Sequence, residues 1–88
     1  MALFIVERNF ADELEVTAKD VLGIQAINGE LDVNWVLSFL SADKKKTYCL
    51  YEAADPALIL EAARRAGVPA DAIIPVTSVD PHAIVANA

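Results

Sequence analysis

The most restrictive feature of this 88-residue chain is a pair of strand-like segments separated by four polar residues. The first segment, Asp32–Ala42, carries apolar side chains at every second position: Val33, Trp35, Leu37 and Phe39. Such alternation is typical of a β-strand with one buried face. The polar residues Asp43–Lys46 have the length of a hairpin turn, and Thr47–Ala54 follows as the second strand. We interpret the three adjacent lysines as a solvated turn rather than an anion site.

A first helix is predicted before this hairpin. Thr17 and Asp20 have the spacing of a capping box, which marks a helix start. An apolar stripe with spacings of three and four residues follows: Val21, Ile24, Ile27 and Leu31. Such a stripe is typical of a helix with one buried face. The pair Asn28-Gly29 predicts the end of the helix, because both residue types tolerate a left-handed backbone.

A second helix is marked more sharply after the hairpin. Asp55 is a typical N-cap, and Pro56 suits the first helical position. Gly67 and Pro69 are typical of a helix end. The apolar face of the helix between this start and this end is narrow, because Ile59 is accompanied on it mainly by alanines. We therefore expect this helix to approach a sheet closely.

Two further strands complete the pattern, at Ala2–Phe10 and Asp71–Val79. Pro75 removes a backbone donor from the last strand, which places that strand at a sheet edge. The order predicts an α+β fold, a ferredoxin-like βαββαβ sandwich with two helices on one face of a four-stranded antiparallel sheet. We expect one such domain over residues 1–80 and a C-terminal tail without a regular pattern over 81–88.

The apolar content is too high for this sandwich to stand alone. Hydrophobic residues make up 56% of the sequence. Ordinary soluble domains have roughly 45 to 50%. The two helices cover one face of the sheet, yet the strands carry apolar residues on both faces, and a large bare apolar face is uncommon in a monomer. We therefore predict a homodimer packed through the open sheet face, of the dimeric α+β barrel type.

The charge of the chain argues against several classes of partner. Its net charge of −6 repels phosphate backbones and anionic lipid headgroups. No segment has the roughly 20 uninterrupted apolar residues that a membrane span needs. Residues Met1–Phe10 lack the basic segment of a signal peptide. The three glycines lie far apart, so no phosphate-binding loop and no nucleotide cofactor are expected. We expect a cytoplasmic protein that binds neither nucleic acid nor membrane.

Four segments spread over most of the chain carry a family pattern. They are Phe4–Arg8 (FIVER), Asn34–Asp43 (NWVLSFLSAD), Tyr48–Ala53 (YCLYEA) and Glu61–Asp71 (EAARRAGVPAD). Together they resemble a family of small bacterial ferredoxin-like domains of unknown function, some of whose members are named nickel-binding proteins. The resemblance implies a dimeric α+β fold and the binding of nickel or another divalent transition metal.

The sequence offers few ligands for such a metal. Nickel and similar ions prefer imidazole and thiolate donors, and a site needs several that converge. The chain has one histidine, His82, and one cysteine, Cys49, which excludes a His-rich site within one chain. We therefore predict a site shared by two chains, in which Cys49 and His82 are completed by a carboxylate such as Glu52 or Glu7. Alternatively, Cys49 is a small apolar residue packed in a central strand.

A second set of residues predicts a pocket for a small organic ligand. Arg8 is its main candidate, because a guanidinium at the edge of an apolar cleft can hold a carboxylate. The other candidate ligand-binding residues are Glu7, Trp35, Phe39, Ser41, Cys49 and Tyr51. The three aromatic residues among them suit a core or a dimer interface equally well.

Three functions follow from these residues. The first is a non-catalytic homodimer that binds a metal or a small ligand. The second is an enzyme of the isomerase or monooxygenase type acting on a small apolar or aromatic acid, with Arg8 holding the substrate and Glu7 or Glu52 as the acid/base group. The third is an interaction module whose sheet only dimerises. The sequence carries no recognisable catalytic constellation, so we expect binding without catalysis.

Overall fold

The computed structural model describes residues Met1 to Ala88, and one antiparallel sheet runs through its centre. The strands are β1 (Ala2–Asn9), β2 (Asn34–Leu40), β3 (Lys46–Ala53) and β4 (Ala72–Val76). They lie in the order β2-β3-β1-β4, and every neighbouring pair is antiparallel. This arrangement confirms the predicted ferredoxin-like α+β fold, with β1 and β3 in the centre and the proline-containing β4 at an edge.

Two helices occupy the connections of the βαββαβ order. Helix α1 (Ala18–Glu30) joins β1 to β2, and α2 (Pro56–Ala66) joins β3 to β4. A third helix, α3 (Pro81–Ala86), lies where the sequence suggested a tail without regular structure. The side chain of Asp80 caps α3, so Asp80-Pro81 repeats the cap-and-proline start of α2. None of the helices has the length and apolar character needed to cross a membrane.

The register of the strands sorts their side chains onto two faces. The helix-covered face of β1 and β3 carries buried residues: Phe4, Val6, Arg8, Thr47, Cys49, Tyr51 and Ala53. The opposite side, which we term the open face, carries these apolar residues: Leu3, Ile5, Leu37, Phe39, Tyr48, Leu50, Ile74 and Val76. Apolar side chains therefore occupy both faces of the sheet, and helices cover only one of them.

A β-bulge in β2 separates residues that the alternation placed on one face. The register shifts between Trp35 and Leu37. Trp35 pairs with Tyr51 on the helix-covered face, whereas Phe39 pairs with Tyr48 on the open face. The prediction of one continuous apolar face along β2 is therefore wrong, because the extra residue in the bulge reverses the side of each residue that follows it.

Helix α2 lies directly on the sheet, as its narrow apolar face predicted. Its N-cap Asp55 accepts a hydrogen bond from the amide of Ala57 at 2.8 Å. At its end, Gly67 has a φ of 70°, the left-handed conformation expected of a glycine cap. The residues it buries are Ile59, Ala62 and Ala63. Small side chains thus bring the α2 backbone close to the sheet.

Helix α1 begins as predicted, but most of its apolar stripe is not buried. The hydroxyl of Thr17 accepts from the amide of Asp20, and the Asp20 carboxylate accepts from the amide of Thr17, which completes the capping box. The stripe residues Val21, Ile24 and Ile27 remain half-buried. Helix α1 packs chiefly against α2 and β2. Helix α1 therefore covers the β2 edge of the sheet, whereas α2 packs on the central strand β3.

The C-terminal end of α1 differs from the prediction. The helix continues through Asn28 and Gly29 to Glu30, and Gly29 does not have a positive φ. The left-handed residue is Asp32, with a φ of 54°. The longer helix places Leu31 against the core, and aspartate is among the residues that tolerate the left-handed region. Packing of Leu31 therefore overrides the local stop signal.

Candidate functional site

A cleft of about 950 Å³ opens between the two helices and the helix-covered face of the sheet. Helix α1 lines it with Val21, Ile24, Ile27 and Asn28, and α2 lines it with Ile59, Ala62, Ala63, Arg65 and Ala66. On the sheet side it is lined by Arg8, Trp35, Ser38, Leu40, Thr47, Cys49 and Tyr51. Small-molecule sites in proteins are mostly apolar clefts of about 300 to 1,000 Å³ with a few polar groups. The cleft has both the size and the lining of such a site.

Arg8 is the only charged side chain that the strands contribute to the cleft, and it is 6% exposed. One terminal nitrogen donates to the carbonyl of Pro69, and the other donates to the hydroxyl of Tyr51 at 3.1 Å. The loop that carries Pro69 is fixed to β1, because the amide of Asn9 donates to the carboxylate of Asp71 at 2.6 Å. Arg8 forms no ion pair with any carboxylate of the chain.

Tyr51 and Trp35 form an aromatic wall beside Arg8. Their ring centroids lie 6.4 Å apart and the rings are 11° from parallel. The indole nitrogen of Trp35 donates to the hydroxyl of Ser38 at 2.7 Å, which fixes the ring. Burial raises the pKa of Tyr51 above its ordinary value of 10.0, although the charge and hydrogen bond of Arg8 act in the opposite direction. Tyr51 is therefore a neutral phenol at physiological pH, and its own O–H can donate.

Two further polar residues of the cleft have buried atoms without hydrogen-bond partners. They are the hydroxyl of Thr47 and the amide nitrogen of Asn28. Thr47 lies directly across from Arg8 in the β1–β3 pairing. The sequence did not single out either residue, because Thr47 fits an ordinary strand and Asn28 was interpreted as a helix-end signal. The available signal was the alternation of Thr47 with Cys49 and Tyr51, which puts a hydroxyl on the buried face.

The structure brings together only part of the predicted ligand-binding set. The residues that meet in the cleft are Arg8, Trp35, Cys49 and Tyr51. Glu7 and Phe39 lie on the open face, where Glu7 approaches Lys46 at 3.7 Å. Ser41 lies in the β2–β3 turn, and its hydroxyl donates to Asp43 at 2.6 Å. These three residues contribute nothing to the cleft.

The acid/base pair of the enzyme hypothesis is also placed away from the cleft. Glu7 is on the open face, and so is Glu52, which accepts a hydrogen bond from Asn34 at 2.7 Å. Arg8 is on the helix-covered face. A substrate held by Arg8 is therefore separated from both carboxylates by the sheet.

The three predicted metal ligands lie apart within one chain. Cys49 is buried on the helix-covered face, whereas Glu52 is on the open face. His82 lies on the exposed helix α3. No group of three or more His, Cys, Asp and Glu side chains is placed to hold a metal ion. The side chains of a single chain therefore do not fit a nickel site.

The sheet order and the two helices make this protein one of the small ferredoxin-like domains, with an apolar cleft between both helices and the sheet. Within that class, the chain belongs to the SCO4226-like family: the model of the nickel responsive protein SCO4226-like family matches residues 4–76. This match confirms the resemblance drawn from the four sequence segments.

A solved structure supports the fold assignment. The crystal structure of SCO4226 from Streptomyces coelicolor A3(2) aligns with a TM-score of 0.75 at 19% identity, covering 90% of this chain and 100% of that chain. At this level of identity the likeness shows the fold that the two proteins share. The comparison with curated proteins finds no match.

Proposed function

We propose that this protein is a homodimer that binds a small apolar ligand in the cleft without converting it. The observation that carries the proposal is the cleft itself, about 950 Å³ of mostly apolar space between the two helices and the sheet. Burial of apolar surface contributes about 25 cal/mol per Å². A ligand between the α1 stripe and the sheet therefore supplies the burial that α1 does not obtain from the protein itself.

The polar groups of the cleft support binding rather than catalysis. Arg8 supplies a guanidinium with N–H donors, and Tyr51, whose pKa is raised by burial, stays a neutral phenol. Two carboxylates at the rim, Glu15 and Asp20, are exposed to solvent. A guanidinium and a phenol beside apolar walls can hold and orient a ligand through hydrogen bonds.

Nile red, a neutral dye that fluoresces in apolar surroundings, tests the cleft. We expect one dye per chain to bind the wild type. Ile24→Trp fills the cleft and abolishes the fluorescence, because Ile24 lines the wall formed by α1. The matched control is Leu22→Trp, since Leu22 is 66% exposed on the same helix and does not line the cleft. Equal loss in both variants, or no binding to the wild type, contradicts the proposal.

The open face supports assembly with a second copy of the chain. Phe39 is 64% exposed there, and Leu37, Tyr48 and Ile74 are each more than a third exposed. The charged groups of this face already have partners: Lys46 approaches Glu7 at 3.7 Å, and the Glu52 carboxylate accepts a hydrogen bond from Asn34. The apolar strip between them suits the buried part of a homodimer interface.

The dimer is tested by light scattering. We expect twice the chain mass of 9.5 kDa at micromolar concentration. Phe39→Glu puts a charge in the middle of the open face and shifts the protein to the monomer. Leu60→Glu, at an exposed apolar position on α2, leaves the dimer intact. A wild-type mass of 9.5 kDa excludes the dimer.

A second candidate function, nickel binding, is favoured by the description of the family as nickel responsive. Because the residues of one chain do not fit a site, the ligands come from two chains, with Glu52 and Glu7 on the open face and His82 on α3. Cys49 lies on the other face of the sheet and does not join them.

Nickel titration of the metal-free protein by calorimetry separates these roles. We expect Glu52→Gln and His82→Ala to weaken binding, and Phe39→Glu to abolish it by preventing dimerisation. Cys49→Ala serves as the control and keeps the wild-type affinity. Nickel binding by the monomeric variant, or no nickel binding by the dimer, rules this site out.

A further inference from the structure

The cleft contains a buried positive charge that the protein does not neutralise. Arg8 is 6% exposed, and its two hydrogen-bond partners are the neutral oxygens of Pro69 and Tyr51. The net charge of the chain is −6, yet none of its carboxylates pairs with Arg8. A buried guanidinium without a counter-ion is unfavourable, so its retention points to an anion that comes from outside the chain.

The neighbouring polar groups complete a set of donors. A guanidinium carries five N–H groups, of which the hydrogen bonds of Arg8 use two. The hydroxyl of Thr47, cross-strand from Arg8, is buried without a partner. The amide nitrogen of Asn28 is buried without a partner on the α1 side of the cleft. Each of these unused groups can donate a hydrogen bond, so together they suit an acceptor with negative charge.

We infer that the ligand of the cleft is an organic monocarboxylate, with its carboxylate against Arg8 and Thr47 and its apolar body between the aromatic wall and the α1 stripe. This inference rests on the proposed binding function and adds the chemical class of the ligand. The planar fork of a guanidinium matches the two oxygens of a carboxylate. The wall of Trp35 and Tyr51 suits a flat or aromatic body. A polyphosphate suits the cleft less well, because Arg8 is its one buried cation, and its other cations, Lys19 and Arg65, are exposed alongside the carboxylates Glu15 and Asp20.

Cinnamate and its neutral isostere cinnamamide test this class by titration calorimetry. They have nearly the same shape, so the ratio of their affinities reports the carboxylate alone. We expect the wild type to bind cinnamate about tenfold more tightly than cinnamamide, because a hydrogen bond to a charged group is stronger than one to a neutral group. The acidic protein as a whole disfavours the anion, so this preference has to come from the site.

Two variants locate the preference. Arg8→Met removes the charge and keeps an apolar stem of similar length, so we expect cinnamate to lose its advantage while cinnamamide still binds. Thr47→Val removes only the hydroxyl and reduces the preference about threefold. Lys46→Met, which removes a lysine on the open face, is the control and leaves the ratio unchanged. If Arg8→Met does not fold, Thr47→Val decides the point, since valine has the shape of threonine.

The outcomes separate this inference from the proposed function. Equal affinity of the wild type for the two compounds overturns the carboxylate site and leaves the cleft as a neutral ligand site. An unchanged ratio in Thr47→Val and Arg8→Met overturns the assignment to these residues. If neither compound binds and Nile red fails as well, the proposed function is wrong.

Discussion

The two helices that cover the same face of the sheet bury their apolar residues to different extents. Helix α2 buries Ile59, Ala62 and Ala63 against the strands. Helix α1 carries the longer apolar stripe, yet its only buried residue is Asn28. Alanines let α2 approach the sheet closely, whereas bulky side chains on α1 and on the sheet face each other across the cleft. The residues that α2 buries therefore belong to the core at the base of the cleft, whereas the half-buried stripe of α1 forms a looser wall of it.

Matched truncations on the two helices give the largest expected difference. Ile59 is fully buried, so Ile59→Ala removes core packing and lowers the free energy of unfolding by about 3 to 4 kcal/mol. Ile24 lines the open cleft, so Ile24→Ala lowers the free energy of unfolding by about 1 kcal/mol or less. Urea denaturation of both variants measures the two decreases. Similar decreases would mean that α1 packs on the sheet in solution and that the cleft is closed.

Two glycine substitutions are expected to change the free energy of unfolding by smaller amounts and in opposite directions. Gly67 ends α2 with a φ of 70°, so Gly67→Ala is destabilising by about 1 kcal/mol. Gly29 lies within α1 without a positive φ, and no atom obstructs an added Cβ there. Gly29→Ala is therefore stabilising by about 0.5 to 1 kcal/mol. Thermal unfolding of the two variants shows whether each is more or less stable than the wild type. If Gly29→Ala is destabilising, α1 ends at Gly29 as the sequence predicted.

The smallest effect concerns the charged side of α2. Hydrogen bonds from Arg64 and Arg65 lower the pKa of Glu61 from 4.5 to about 2. Because the folded-state pKa is lower, this contribution to stability is present above pH 4.5 and is lost as the pH falls to about 2. We expect Glu61→Gln to be slightly less stable than the wild type at neutral pH and equally stable near pH 2. Glu13→Gln, at an exposed glutamate outside the ion pairs, shows no such convergence. A pH-independent difference for Glu61→Gln would contradict the ion-pair origin.

The order of elements and the bounds of α2 could be predicted because they rest on local signals. The Asp55-Pro56 start, the Gly67 end and the placement of Pro75 in an edge strand each depend on backbone chemistry that a few residues decide. The end of α1 was predicted wrongly for the opposite reason. There a tertiary contact, the packing of Leu31, overrides a local signal.

The candidate site was only partly predictable. Arg8 and Tyr51 were chosen for their chemistry; the register of β1 with β3 puts them on the same face, and the long Arg8 side chain reaches the Tyr51 hydroxyl. The bulge beside Trp35 could not be predicted from the sequence. The residues on both sides of it are apolar, so the alternation pattern does not show that the register shifts by one residue. The depth of the cleft was hidden as well, since a stripe on α1 shows which side faces the sheet but not how near it lies.

The cleft is tested most directly as the ligand site by an NMR titration of the labelled protein with cinnamate. We expect the largest chemical-shift changes at the cleft, in the backbone amides of Ile24, Ile27 and Thr47 and in the side-chain signals of Arg8. Residues of the open face such as Phe39 and Leu50 are expected to stay unchanged. Changes concentrated on Phe39 and Leu50, with Ile24 and Thr47 unaffected, would contradict the assignment of the cleft as the ligand site.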